Sequence, residues 1–215
     1  MKSQIEEKIA QGFDCIKLKI GALDFNEELS LLEHIRKSFS PEQMMLRVDA
    51  NGAFAAAVAM DYLNALKSLG IHSIEQPIAA GQTFAMRDLC SDSPIPIALD
   101  EELIGVVEKK DRELLLDQIK PQYLILKPSL LGGFQSCEQW IELASARSIG
   151  YWVTSALESN IGLNAIAQWT FSLREVHHQG LGTGGLFSNN FKSPLEVSQG
   201  YLTFNANDNW EIPIV

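Results

Sequence analysis

Lys17 and Lys19 stand two residues apart in the run CIKLKI, and Asp49, Glu75 and Asp100 each close a short apolar run further along the chain. Residues i and i+2 of a strand project to one face, so both lysines belong to the same side of the element that carries them. Three carboxylates offer hard oxygen donors suited to Mg²⁺, a cation that usually keeps positions open for water or substrate oxygens. Lys127 closes the next run, immediately before Pro128. Together these groups suit the removal of a proton next to a carboxylate. Such a proton is weakly acidic, and a cation on the carboxylate stabilises the enediolate left behind. A lysine is a base at neutral pH only if its pKa is lowered, which a second ammonium and a metal nearby would do.

Each residue also has a plainer reading. Lysines on an edge strand commonly face solvent. An acid at a strand-to-helix junction commonly caps the helix. That second reading is strong for Asp49, which precedes Ala-Asn-Gly, and weak for Glu75, which Gln-Pro follows. What favours chemistry is the register of all the groups with a repeat. Lys19, Asp49, Glu75, Asp100, Lys127, Ser155 and Gly182 follow one another at intervals of 25–30 residues.

An interval of that length holds one strand, one helix and two loops, and repeated βα units build a parallel sheet. The apolar runs predict strands at 15–20, 45–48, 73–76, 96–99, 123–127, 151–155 and 180–183. Between them, 25–39 places Leu29, Leu32, Ile35 and Phe39 on one helical face. The patterns 56–70 and 137–150 are helices that each end in a glycine, Gly70 and Gly150. Polar residues at the C-terminal ends of successive strands meet in one site if the sheet closes into a barrel, and spread along a line if it stays open. The charged strand ends therefore favour the barrel. No GxGxxG or GxxxxGK[ST] run supports a nucleotide fold.

Seven strands are expected. The chain opens in a helical pattern, with Ile5, Ile9 and Phe13 four apart, and no strand precedes it. After about residue 192 the rhythm changes, and SPLEVSQGYLTFN predicts a hairpin turning at Gln199-Gly200. Residues 1–192 are thus expected to form the barrel and 193–215 an appended tail.

The motifs KLK (17–19), VDAN (48–51), IEQP (74–77), ALDE (98–101) and LKPS (126–129) resemble the signature of the enolase superfamily, in its muconate-cycloisomerase-like branch. The likeness covers about residues 1–190. It implies an α/β, enolase-type (β/α)7β TIM-like barrel, here lacking its first strand and the N-terminal α+β capping domain, on which the tail would pack. It implies metal ligation by Asp49, Glu75 and Asp100, with Mg²⁺ as cofactor and Mn²⁺ as an accepted substitute. It implies Lys19 as general base, Lys17 as its electrostatic neighbour, and Lys127 on the opposite face. Asn51 would lie near the substrate or a metal-bound water. The segments 155–168 and 180–190 resemble those of o-succinylbenzoate synthases. Dipeptide epimerases commonly carry Asp-x-Asp where this chain has Gly182-Thr183-Gly184. The implied substrate contacts are Asn51, Ser155, Gly182 and Thr183. The implied reaction is a syn dehydration giving 2-succinylbenzoate in menaquinone biosynthesis. The alternatives are N-succinylamino-acid racemisation or another enolase-type reaction, and a barrel fragment without activity.

Composition narrows the partners. A net charge of -10 repels a phosphate backbone, so nucleic acid is a poor partner. With 46% apolar and 20% charged residues the chain can bury a core, and no apolar run reaches membrane-spanning length. Cys15, Cys90 and Cys137 are too scattered for a metal motif and predict free thiols in a reducing cytoplasm. A small-molecule carboxylate is the expected partner, with homo-oligomerisation left open. His177 and His178 are expected in a loop before the last strand, and Trp140, Trp152 and Trp169 in the core. Cys15 is expected to point outward into the helix layer as a small hydrophobe.

Overall fold

Parallel strands β1 (Cys15–Lys19), β2 (Met45–Asp49), β3 (Ser73–Glu75), β4 (Ile97–Leu99), β5 (Tyr123–Leu126) and β6 (Gly150–Val153) form one six-stranded sheet in sequence order. The computed structural model describes residues 2–174, 177–182 and 187–211. Helix α1 (Lys2–Ala10) precedes the sheet; α2 (Phe25–Ser38), α3 (Ala56–Leu66), α4 (Thr83–Asp92) and α5 (Lys109–Ile119) each link one strand to the next. After β5 come the short α6 (Pro128–Leu131) and α7 (Phe134–Ser145), and α8 (Asn160–Ser172) follows β6. This strict βα alternation lets every strand run the same way, because each helix returns the chain along the sheet's outer face.

The two faces of the sheet carry separate cores. Leu46, Val48, Ile74, Ile97, Leu99 and Leu126 are fully buried in the cluster that also holds Leu32, Leu63 and Met86 of the helices. Ala98, Ile125 and Trp152, with Tyr123, form a second cluster. These residues share strand parity with Asp100 and Lys127, so they fill the concave side beneath the strand ends. The Arg47 guanidinium lies 3.9 Å from the centre of the Trp152 ring and plugs the same space. Trp140 and Trp169 are also buried, as expected of core residues.

Beyond β6 the sheet curls back towards its start. Gly180 bridges Thr154 in parallel, and a Cβ built on Gly180 would come within 2.6 Å of Thr154 Cγ2. His178 Nε2 and Asp14 Oδ1 are 2.7 Å apart, and Arg47 Nη1 donates to the His178 carbonyl at 3.3 Å. The approach to Gly180 is thereby tied to the foot of β1 and to β2. The expected strand at 180–183 is reduced, among the described residues, to that single bridge. Gly180 and Gly182 offer no side chain to pack, and glycine weakens a strand. Thr183 lies outside the described residues.

Two smaller expectations are corrected. Gly150 does not stop a helix. It opens β6, where a Cβ would collide with the Tyr123 ring at 2.6 Å. The left-handed residue after α7 is Ser148, at φ 57°. Cys15 does not turn to the helix layer: it shares parity with Lys17 and Lys19, while Ile16 and Leu18 take the buried outward positions. Burial raises its thiol, with Arg47 pulling the other way. Gly70 does terminate its helix, in the left-handed region at φ 56°.

The tail forms the expected hairpin, β7 (Leu195–Ser198) and β8 (Tyr201–Phe204). Its two turn residues, Gln199 and Gly200, both have positive φ, at 50° and 78°. That is the turn whose twist suits a two-residue hairpin. The turn packs on Gly12, where a Cβ would meet Gln199 Cα at 3.0 Å. Among the described residues no helix is long and apolar enough to cross a membrane.

Candidate active site

Strand register brings the charged residues together. Lys19 pairs with Asp49 across β1 and β2, and Asp49 pairs with Glu75 across β2 and β3. Asp100 follows β4, and Lys127 follows β5. The five residues therefore line one rim of the sheet in chain order, at the C-terminal ends of the strands.

The carboxylates are buried and the lysines come to them. Asp49, Glu75 and Asp100 are 1%, 0% and 2% exposed, far below the usual exposure of acids. Lys17 Nζ donates to Asp49 Oδ2 at 3.1 Å and to Glu75 Oε2 at 2.8 Å. Lys127 Nζ donates to Asp100 Oδ2. Lys19 Nζ lies 3.9 Å from Asp49 Oδ2 and donates to Asn51 Oδ1 at 2.6 Å. So Lys17 and Lys19 approach one end of the carboxylate row and Lys127 the other.

Burial dominates the titration of Glu75 and Asp100. It pushes the Glu75 carboxyl up to about 7, against the pull of Lys17. It raises Asp100 as well, against the pull of Lys127. Burial alone would lower the Lys17 ammonium, but Glu75 and Asp49 together outweigh it and hold Lys17 above the ordinary lysine value. Two native ammoniums thus offset part of the negative charge.

The row is a fit donor set for a hard divalent cation. Among the described residues Glu75 Oε1 is buried with no hydrogen-bond partner, an arrangement that costs about 1–3 kcal/mol unless something charged or polar meets it. The lysines take one oxygen from each carboxylate. Among the described residues no three His, Cys, Asp or Glu side chains converge into a coordination sphere as they stand. A cation would therefore share the carboxylates with Lys17 and Lys127, or displace them.

The neighbouring loops are locked by groups that the motifs did not assign. Gln76 is fully buried at φ 36°; its Oε1 accepts from the Asp100 N–H at 3.1 Å, and its Nε2 donates to Glu102 Oε2 at 3.1 Å. It ties the end of β3 to the end of β4, and so Glu75 to Asp100. Glu28, on α2, accepts from the N–H groups of Gly21, Ala22 and Leu23, which fixes the loop directly after Lys19. Asn51 Nδ2 donates to Glu101 Oε1 at 2.9 Å. Glu158 accepts from Ser129 Oγ and from the Ala156 N–H, joining α6 to the loop after β6. The position of Gln76, between an acid that ends a strand and Pro77, is the one sequence signal that could have flagged it.

The Ser155 hydroxyl donates to the Gly180 carbonyl at 3.1 Å and the residue is buried. Gly182 is exposed, and among the described residues nothing lies within 4 Å of where a Cβ would be. His177 and His178 lie in the loop before Gly180, away from the carboxylate row; His177 Nε2 contacts the Tyr151 carbonyl at 2.7 Å.

Residues 1–207 match the family described as Enolase C-terminal domain-like. The o-succinylbenzoate synthase of Desulfotalea psychrophila (strain LSv54 / DSM 12343) is 57% identical over 202 residues, 94% of this chain and 55% of the relative. The L-Ala-D/L-Glu epimerase of Francisella tularensis subsp. novicida is 31% identical over 173 residues, 80% of this chain and 47% of the relative. The crystal structure of MenC from Desulfotalea psychrophila LSv54 superposes with a TM-score of 0.89 at 56% identity, covering 94% of this chain and 55% of that one. Muconate lactonizing enzyme from Pseudomonas fluorescens, complexed with muconolactone, superposes with a TM-score of 0.83 at 27% identity, covering 93% and 54%. The chain spans about half the length of the curated relatives it matches. A curled parallel βα sheet with acids and lysines on its C-terminal rim, together with these matches, makes the chain a member of the enolase C-terminal domain-like family.

Proposed function

We propose that the protein to which this chain belongs is an o-succinylbenzoate synthase, a lyase that dehydrates 2-succinyl-6-hydroxy-2,4-cyclohexadiene-1-carboxylate to 2-succinylbenzoate in menaquinone biosynthesis. The observation that carries this reading is the 57% identity to the Desulfotalea psychrophila o-succinylbenzoate synthase over 94% of the chain. The reading includes a cytoplasmic location and a small carboxylate as partner, not nucleic acid or a membrane.

Asp49, Glu75 and Asp100 would hold Mg²⁺, or Mn²⁺ in its place. When bound, such a cation supplies positive charge to the substrate carboxylate and so acidifies the C–H beside it. Lys19 Nζ, as the free amine, takes that ring proton. The electron pair left on carbon forms the new ring double bond as the C–O bond to the hydroxyl breaks. The ammonium of Lys19 returns its proton to the departing oxygen, which leaves as water. One group on one face thus serves a syn elimination, and aromatisation drives it. Lys17 stays on Asp49 and Glu75 as a fixed charge, and Lys127 stabilises negative charge from the other end of the row. Asn51, Ser155, Gly182 and Thr183 are proposed to border the substrate, and residues 193–215 to pack on the preceding domain of the complete protein.

A second reading, N-succinylamino-acid racemisation, has one observation in its favour. Lys19 and Lys127 flank the carboxylates from opposite ends, as a two-base reaction needs. The test is to give the complete protein both substrates with Mg²⁺, then with a chelator. Formation of 2-succinylbenzoate that stops with the chelator and returns with Mg²⁺ supports the synthase. Racemisation without dehydration overturns it in favour of the second reading.

A further inference from the structure

We propose that Glu101 is a positioning residue for Lys19, acting through the side-chain amide of Asn51. The proposal rests on Lys19 being the general base of the reading above. Lys19 needs holding. Its side chain is 71% exposed, on a flexible four-carbon stem with roughly 2 kcal/mol of rotamer entropy to lose. Its partners are Asp49 Oδ2 at 3.9 Å and Asn51 Oδ1 at 2.6 Å, so the amide oxygen is the closer restraint.

An asparagine amide has two unlike ends, and only one orientation serves a lysine. An ammonium only donates and a carboxylate only accepts. Asn51 stands between one of each, with Nδ2 donating to Glu101 Oε1 at 2.9 Å. Glu101 therefore dictates that the amide oxygen, not the NH₂ group, faces Lys19. The backbone of Asn51 is already fixed. Its backbone is left-handed at φ 43°, and its N–H donates to Asp49 Oδ1 at 3.0 Å. The following Gly52 donates to the Gln76 carbonyl at 2.7 Å, and a Cβ on Gly52 would strike Ala79 Cα at 2.8 Å. The side chain is the freedom left, and its contact with Glu101 restrains the amide end.

Glu101 is itself well supported for this task. It opens the 3₁₀ turn Glu101–Leu103 directly after Asp100, whose N–H is held by Gln76. The chain Glu101, Asn51, Lys19 thus links the ends of β4, β2 and β1. Among the described residues Glu101 Oε2 is buried without a hydrogen-bond partner, a cost the fold would shed if the residue were a mere cap.

The test uses the complete protein with Mg²⁺ and steady-state dehydration kinetics. Glu101→Leu frees the amide and is expected to lower kcat by about 10- to 100-fold, the scale of a base displaced by an ångström, with KM little changed. Glu101→Gln keeps a carbonyl acceptor and retains most of kcat. Asn51→Asp sets two carboxylates against each other and loses kcat. Asn51→Asp combined with Glu101→Gln restores the polarity. The amide introduced at position 101 can donate to the carboxylate introduced at position 51, which still accepts from Lys19. This near-isosteric pair should exceed Asn51→Asp alone in kcat. Normal kcat in Glu101→Leu, or additive losses in the pair, would overturn the proposal. Lys19→Ala separates the two layers: near-normal turnover there overturns the base assignment and the positioning role with it. Loss there beside normal turnover in Glu101→Leu overturns the positioning role alone.

Discussion

The Lys17 ammonium sits 2.8 Å from Glu75 Oε2, so the chain supplies its own cation to a fully buried carboxylate. Removing one partner of a buried pair leaves the other uncompensated. Lys17→Met should therefore lower stability in chelator by about 2 kcal/mol, the modest end for a broken pair because the lysine side chain is 35% exposed. Mg²⁺ should recover it, by ~2.7 kcal/mol at a hundredfold excess over Kd. Thermal melts with EDTA and with Mg²⁺ read both effects. An unchanged melting temperature in EDTA would contradict the pairing.

Each carboxylate of the row is expected to contribute to cation affinity. Asp49→Asn, Glu75→Gln and Asp100→Asn should each weaken Mg²⁺ binding by at least the roughly 10- to 100-fold typical of disturbing a metal site. Calorimetric titration of Mg²⁺ into each variant of the complete protein checks this. Wild-type affinity in all three would remove the metal from the account.

Acid should destabilise the foot of the sheet. Burial, with the charges of Arg47, His178 and His177, pushes His72 down to about 4. Its ring packs beside Tyr123 and Trp152 and contacts Ser73 Oγ at 2.9 Å. The unfolded imidazole protonates near its ordinary value of about 6.5. Below that pH the unfolded chain binds more protons, so stability falls from about pH 6.5 towards 4 and is fully present above it. His72→Asn should flatten this dependence in urea denaturation at about pH 7.5 and 5, either side of that midpoint. An equal drop in both proteins would show that His72 is not the source.

Glu28 holds the loop after Lys19 through the N–H groups of Gly21, Ala22 and Leu23. Glu28→Ala strands these donors, at about 1–3 kcal/mol for a buried unsatisfied group. Roughly 2–3 kcal/mol of lost stability is expected in urea denaturation, with a larger loss of kcat than of substrate affinity. A variant within about 0.5 kcal/mol of wild type, the range of an ordinary surface change, would contradict the role.

Much of the site was legible in the sequence because strand ends recur at the period of a βα unit, and the acids and lysines sit on those ends. The helical face of Leu29, Leu32 and Ile35 and the Gln199-Gly200 turn followed from local pattern alone. Cys15 was misplaced although its parity with Lys17 is plain in the sequence. Gly150 reads as a helix stop, yet its need for glycine comes from the Tyr123 ring on a neighbouring strand. Gln76 and Glu28 escaped because their partners lie on other elements, and nothing in a linear motif shows which loop a carboxylate will hold.

The central claim is that Lys19 is the base of a dehydration on this rim. The most direct measurement is kcat for 2-succinylbenzoate formation by Lys19→Ala in the complete protein with saturating Mg²⁺. The account predicts a loss of roughly 10²- to 10⁴-fold or more, the worth of a positioned general base, with the fold intact by circular dichroism. Turnover within about threefold of wild type, an effect too small for a lost base, would contradict it.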